Sequence, residues 1–106
     1  IVLFKSRWDS GMLEFREGSL RWVDSKQTEK NLLVPMEQIT EQQLTCLKKA
    51  GGNECFEWVV KTRNAEYYFR DATWRQGENA KVQDLFEYFR GSYPNLVSSR
   101  NPVDEK

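Results

Sequence analysis

The feature that most constrains the fold of this chain is the point at which its apolar periodicity changes. Up to about residue 70, apolar and polar side chains alternate in short runs, the period of strands. From Asn79 onward, Val82, Leu85, Phe86 and Phe89 stand at i, i+3, i+4 and i+7, one apolar stripe along a helix. Between the runs there is no helical segment that could serve as a crossover between parallel strands. The expectation is therefore an antiparallel β architecture closed by one late amphipathic helix.

The runs define seven short strands. Ile1 to Trp8 is rich in β-formers and ends at the turn composition Asp9-Ser10-Gly11. Met12 to Glu17 and Leu20 to Asp24 flank Gly18-Ser19, which predicts a hairpin with a type II′ turn and Gly18 in its first turn position. Asn31 to Ile39 contains Pro35, which lacks a ladder donor and demotes this strand to an edge, a bulge or a short piece. Thr40 to Lys49 fits either period and is read as a strand, turning at Ala50-Gly51-Gly52-Asn53. Cys55 to Lys61 and Ala65 to Arg70 form a further hairpin through Thr62-Arg63-Asn64. Gly91 and Pro94 are expected to stop the helix, leaving residues 97–106 as a flexible polar tail after a domain covering residues 1–96.

A chain of 106 residues with 39% apolar content, including four Trp, four Tyr and six Phe, supports one core and not two. Sixteen basic residues balance sixteen acidic ones, so no global field favours a polyanion, and nucleic acid is not an expected partner. Tyr67-Tyr68-Phe69 could form a stacking platform, but alternation sends Tyr68 to the opposite face and few basic residues surround it. The sequence contains no histidine, which removes the usual general base, the Ser-His and Cys-His nucleophile pairs and the commonest zinc ligand. Asp9, Glu14, Glu17 and Asp24 are scattered around turns, and Cys46 lacks a base. No catalytic residue, metal site or cofactor is therefore assigned. Cys46 and Cys55 are compatible with one disulfide but are read as free thiols in a reducing compartment, since a core this aromatic does not need a covalent staple. No apolar run approaches the length of a membrane span, and the chain opens inside an apolar run without a methionine. A preceding segment, with any lipidation signal, is expected.

Seven strands in successive hairpins followed by one helix resemble the pleckstrin-homology (PH) superfold. The likeness is carried by Gly11-Met12-Leu13-Glu14-Phe15-Arg16 to Leu20-Arg21-Trp22-Val23, by the hairpin from Phe56 to Phe69 and by the helix ending at Phe89. The resemblance covers Ile1 to about Tyr93. It implies a seven-stranded antiparallel sandwich or barrel, mainly β, capped by the C-terminal helix. Lipid-binding members of that group carry a first-strand Lys and paired basic residues on the second strand. Here Lys5 and Arg7 match the first part, but Glu14 stands beside Arg16 where a second basic residue belongs. A carboxylate there opposes an inositol phosphate, and the Asp9-Ser10-Gly11 loop is short and acidic. A PH-like shell without its lipid pocket is similar to the inner-membrane-complex sub-compartment proteins of apicomplexan parasites. That likeness implies a scaffold held to membrane by an acylated N-terminus, with this domain making protein contacts.

Two sets of candidate residues follow. Trp22 and Trp58 lie between apolar neighbours on strands and are read as core, whereas Trp8 ends a strand and Trp74 lies just before the helix beside Arg75. Trp8, Trp74 and Arg75 are the protein-interaction candidates. Lys5, Arg7, Arg16 and Arg21 are the candidates for an alternative role, binding acidic phospholipid headgroups as a peripheral membrane module, although Glu14 and Glu17 are placed to pair with them. The expected function is non-catalytic protein–protein contact within a membrane-associated scaffold, in the cytoplasm or on the cytoplasmic face of a membrane.

Overall fold

The computed structural model describes residues 2–4 and 7–101, with side chains from Asp9 onward. Among the described residues, nine strands and one α-helix follow in the order β1 (Val2–Phe4), β2 (Arg7–Asp9), β3 (Gly11–Arg16), β4 (Ser19–Asp24), β5 (Leu32–Pro35), β6 (Ile39–Lys49), β7 (Gly52–Thr62), β8 (Glu66–Phe69), α1 (Ala80–Ser92) and β9 (Val97–Asn101). They form a six-stranded sheet in the order β2-β1-β8-β7-β6-β9 and a three-stranded sheet in the order β3-β4-β5. The molecule is mainly β, and each of the seven expected strand segments contains a strand. The two sheets do not close into a single barrel among the described residues.

Two expectations are corrected. The first run does not extend as one strand but folds back on itself, pairing Val2 with Asp9 and Phe4 with Arg7. Residues 97–101, expected as flexible tail, form β9, which runs parallel to β6 from Glu41↔Val97 to Thr45↔Asn101. The connection between β8 and β9 passes through α1. The helix thus supplies the long crossover that a parallel pairing requires.

The β3–β4 hairpin forms with a different turn from the one expected. Arg16 pairs with Ser19, so the loop is Glu17-Gly18 and not Gly18-Ser19. Both loop residues have positive φ, 54° at Glu17 and 73° at Gly18, which describes a type I′ turn. Gly18 tolerates this at no steric cost, whereas Glu17 is held in the left-handed region by the register on either side. Pro35 ends the short edge strand β5, where its missing donor faces no partner strand.

The core lies between the sheets and under the helix. Leu20 and Trp22 on β4, Val34 on β5, Leu44 and Cys46 on β6, Trp58 and Val60 on β7 and Phe69 on β8 meet Val82, Phe86 and Phe89 from α1. Trp22 and Trp58 are core, as read from their apolar neighbours. Three members of the helical stripe are buried and the fourth, Leu85, is half-buried. Phe89 is fully buried and meets Phe15, Trp58 and Tyr93 edge-on, with ring centroids 4.9, 5.1 and 5.8 Å away. The helix runs through Gly91 to Ser92 and closes with the Tyr93 N–H donating to the Phe89 carbonyl.

Cys46 and Cys55 are joined by a disulfide across the long β6–β7 hairpin. This corrects the expectation of free thiols. The register places the two residues directly opposite each other beside a bulge at Phe56 of β7, with their Cα atoms 3.8 Å apart. Their pairing follows from the hairpin and not from any need of the core.

Candidate functional site

Arg70 and Asp71 follow β8 directly, and a 3-10 turn at Trp74–Gln76 then leads to the helix. The Glu57 carboxylate on β7 accepts from Arg70 Nε at 2.9 Å and lies 2.8 Å from its Nη2, with both side chains mostly buried. The guanidinium so fixed lies 4.9 Å from the Phe56 ring centroid and 4.2 Å from that of Trp74. Phe56 and Trp74 are stacked at 6.2 Å and 24°. Arg75 adds a second guanidinium 4.7 Å from Trp74 and is itself exposed. Trp74 is half-buried. A delocalised cation over an aromatic face gains from the ring quadrupole while keeping its in-plane donors for other partners. The result is a fixed aromatic and cationic surface next to the helix entry.

Asp71 performs a different task. Its carboxylate accepts the backbone N–H groups of Lys81 and Val82, both at 3.0 Å, and so caps α1 from a position remote in sequence. Asn79, at the N-cap position, makes no side-chain capping bond. Asp71 thereby pins the first turn of the helix to the end of β8. Between this pinned turn and β3 lies a cleft of about 150 Å³, lined by Gly11, Met12, Leu13, Arg70, Asp71, Lys81, Val82 and Leu85.

The sequence-derived candidates are only partly brought together. Trp74 and Arg75 are adjacent in space and carry the surface described above. Arg7 and Trp8 lie on β2, at the far edge of the six-stranded sheet; their side chains, and Lys5, lie outside the described residues. Arg16 and Arg21 both lie on the outer face of the three-stranded sheet and share a carboxylate. Glu17 is 3.6 Å from Arg16 and 3.7 Å from Arg21, with Glu14 4.0 Å from Arg16. Sequence reading missed Phe56, Glu57, Arg70 and Asp71. The only local hint was Arg70-Asp71 directly after an aromatic strand, because the contacts that matter depend on register across β7 and β8 and on where the helix docks.

The same outer face exposes Met12 and Val23, which are cross-strand partners, together with Leu33 on β5. Among the described residues, no three or more Cys, Asp or Glu side chains are grouped to hold a metal ion, and no helix is long and apolar enough to cross a membrane. Compared with known proteins, the chain matches no protein family, no curated protein and no solved structure.

Proposed function

We propose that the chain is a non-catalytic PH-like module that binds another protein within a membrane-associated scaffold. The observation that carries this reading is the Phe56-Trp74 stack held by Arg70 and topped by exposed Arg75. Trp and Arg dominate interface hot spots because each buries a large contact area while keeping a polar handle. Here Arg70 and the Trp74 ring against it are pre-positioned by the Arg70–Glu57 ion pair, so little of their side-chain entropy is lost when a partner covers them. The PH-like assignment is supported by the order of strands and helix, and the scaffold setting by the resemblance noted from the sequence. The phospholipid alternative draws less support. Two of its four basic residues share Glu17, so an anion arriving there competes with a carboxylate already in place.

The test is cross-linked affinity capture with the wild type beside Arg75→Glu and Arg16→Glu. A specific protein retained by the wild type and by Arg16→Glu but lost with Arg75→Glu is the expected result. Vesicle co-sedimentation with phosphoinositide that weakens steeply with salt and disappears with Arg16→Glu would overturn it in favour of the lipid module.

A further inference from the structure

Four strand edges are present among the described residues, and they differ in how well they are protected. β2 is three residues long, β5 is four and ends in Pro35, and β9 is five. β3 is six residues long, carries no Pro or Lys, and pairs with β4 without a bulge from Gly11↔Asp24 to Arg16↔Ser19. Natural edges are normally blunted by shortness, Pro, bulges or charged side chains, Lys above all; of these β3 carries only Glu14 and Arg16, both in its C-terminal half and away from Gly11-Met12-Leu13.

Which of its backbone groups are free follows from the hairpin. The residues flanking a two-residue turn exchange both ladder bonds, so Arg16, Glu14 and Met12 are the bonded positions of β3. The Ser25 N–H donating to the Ser10 carbonyl at 2.9 Å continues the same parity. Gly11, Leu13 and Phe15 therefore direct their N–H and C=O groups away from β4.

The cleft lies on that free side. Side chains alternate across a strand, so a cavity on one face meets every second residue. This cleft is lined by three consecutive residues, Gly11, Met12 and Leu13, and so meets β3 edge-on. Its opposite wall is the first two turns of α1, held rigidly through Asp71. A free strand edge facing a fixed helix across an apolar cleft is the geometry of β-augmentation, in which an extended segment adds to a sheet and lodges alternate side chains in a pocket. The volume of about 150 Å³ suits one apolar side chain.

Charge selects the rest of the ligand. Lys81 is exposed on the cleft wall and makes no ion pair among the described residues, whereas the charge of Arg70, which also lines the cleft, is met by Glu57. The acidic lining residue, Asp71, already has its carboxylate met by two helix N–H groups.

We infer that the β3 edge and the α1 entry form a peptide-binding groove for an extended segment of a partner protein with one apolar anchor and a neighbouring acidic residue. This rests on the protein-interaction reading and adds a second contact, joined to the Trp74 surface through Arg70.

The probe is a display library of short random peptides, selected on the whole chain. Selected sequences are expected to alternate apolar residues with at least one Asp or Glu, and to slow amide exchange at Leu13 about tenfold or more while leaving β5 unchanged. Lys81→Glu, an exposed change that leaves the core intact, should weaken those peptides about fivefold and shift selection toward basic sequences. N-methylation of the selected peptide should abolish binding at alternate positions of one parity and be tolerated at the other. Several outcomes would overturn the groove: no selected peptide, protection of β5 or β9 instead of Leu13, equal tolerance of both N-methyl parities, or protection of Leu13 by self-association of the chain without peptide. Failure of the groove with Arg75-dependent capture intact leaves the interaction module standing, whereas loss of both removes the module as well.

Discussion

The indole N–H of Trp58 donates to the Gln42 side-chain oxygen at 2.7 Å, in a part of the core where both residues are fully buried. The amide nitrogen of the same Gln42 donates to the Phe86 carbonyl at 3.0 Å and to Ser98 Oγ at 2.9 Å. One glutamine on β6 thus ties together β7, α1 and β9. A buried polar group is tolerable only when its hydrogen-bonding capacity is met, and here both ends of the amide are used.

Gln42→Leu keeps the volume but leaves the Trp58 N–H without a partner in a dry core. The expected loss is about 2–4 kcal/mol by urea denaturation. Ser98→Ala, which removes one of two acceptors for the same amide, should cost less than about 1 kcal/mol. Equal losses from the two variants would show that the network does not centre on Gln42.

Reducing the Cys46–Cys55 bond opens a hairpin whose cysteines are nine positions apart. Loop-closure entropy for a cross-link of that span predicts a loss of about 2–3 kcal/mol. For a domain of this size that corresponds to a fall in melting temperature of roughly 10 °C, read by thermal unfolding with and without reductant. The Cys46→Ala/Cys55→Ala double variant should melt low in both conditions and lose its response to reductant.

Gly11 has no room for a side chain. A Cβ there would lie 2.3 Å from the Val23 carbonyl oxygen and 2.5 Å from the Trp22 ring, and the first of these is backbone that cannot swing aside. Gly11→Ala should destabilise the fold by about 2–4 kcal/mol by forcing β3 away from β4. Gly91→Ala, with open space at its Cβ in the last turn of α1, should be neutral or stabilising by up to about 1 kcal/mol in the same assay.

Asp24 is held below the ordinary carboxylate value of 3.8, chiefly by the Lys26 N–H and next by that of Gln27, both donating to Oδ1 at 2.9 Å. A carboxyl whose folded value is depressed stabilises the protein fully above its unfolded value, near 3.8. That contribution is lost as pH falls through the lower, folded value. Urea midpoints measured below pH 5 should therefore fall more steeply for the wild type than for Asp24→Asn. Parallel acid limbs would remove Asp24 from the account.

What could be read in the sequence was whatever depends on near neighbours. Val82, Leu85, Phe86 and Phe89 mark the helix because a helical face repeats within one or two turns. Trp22 and Trp58 were readable as core from the residues on either side. The two central hairpins were likewise visible from alternating runs separated by turn residues. The turn type was not, because it depends on which residues pair: Arg16↔Ser19 moved the turn one position earlier, onto Glu17-Gly18.

The remaining features were decided by contacts between segments far apart in the chain. Val97-Ser98-Ser99-Arg100-Asn101 is polar enough to read as tail, and it becomes a strand because the edge of β6 offers it a backbone ladder and Gln42 holds Ser98 from 56 positions away. The disulfide required two cysteines to face each other across a hairpin, and the Arg70–Glu57 pair required the register of β7 against β8. The free edge of β3 is likewise a property of sheet order, and its cleft exists because Asp71 caps a helix that begins nine residues later. Local sequence determined the elements of this protein and its aromatic core, since propensity and periodicity act over a few residues. Sheet order, covalent pairing and the grooves that a partner can enter were decided only by tertiary structure, since hydrogen-bond ladders and buried charges depend on which distant segments come to lie side by side.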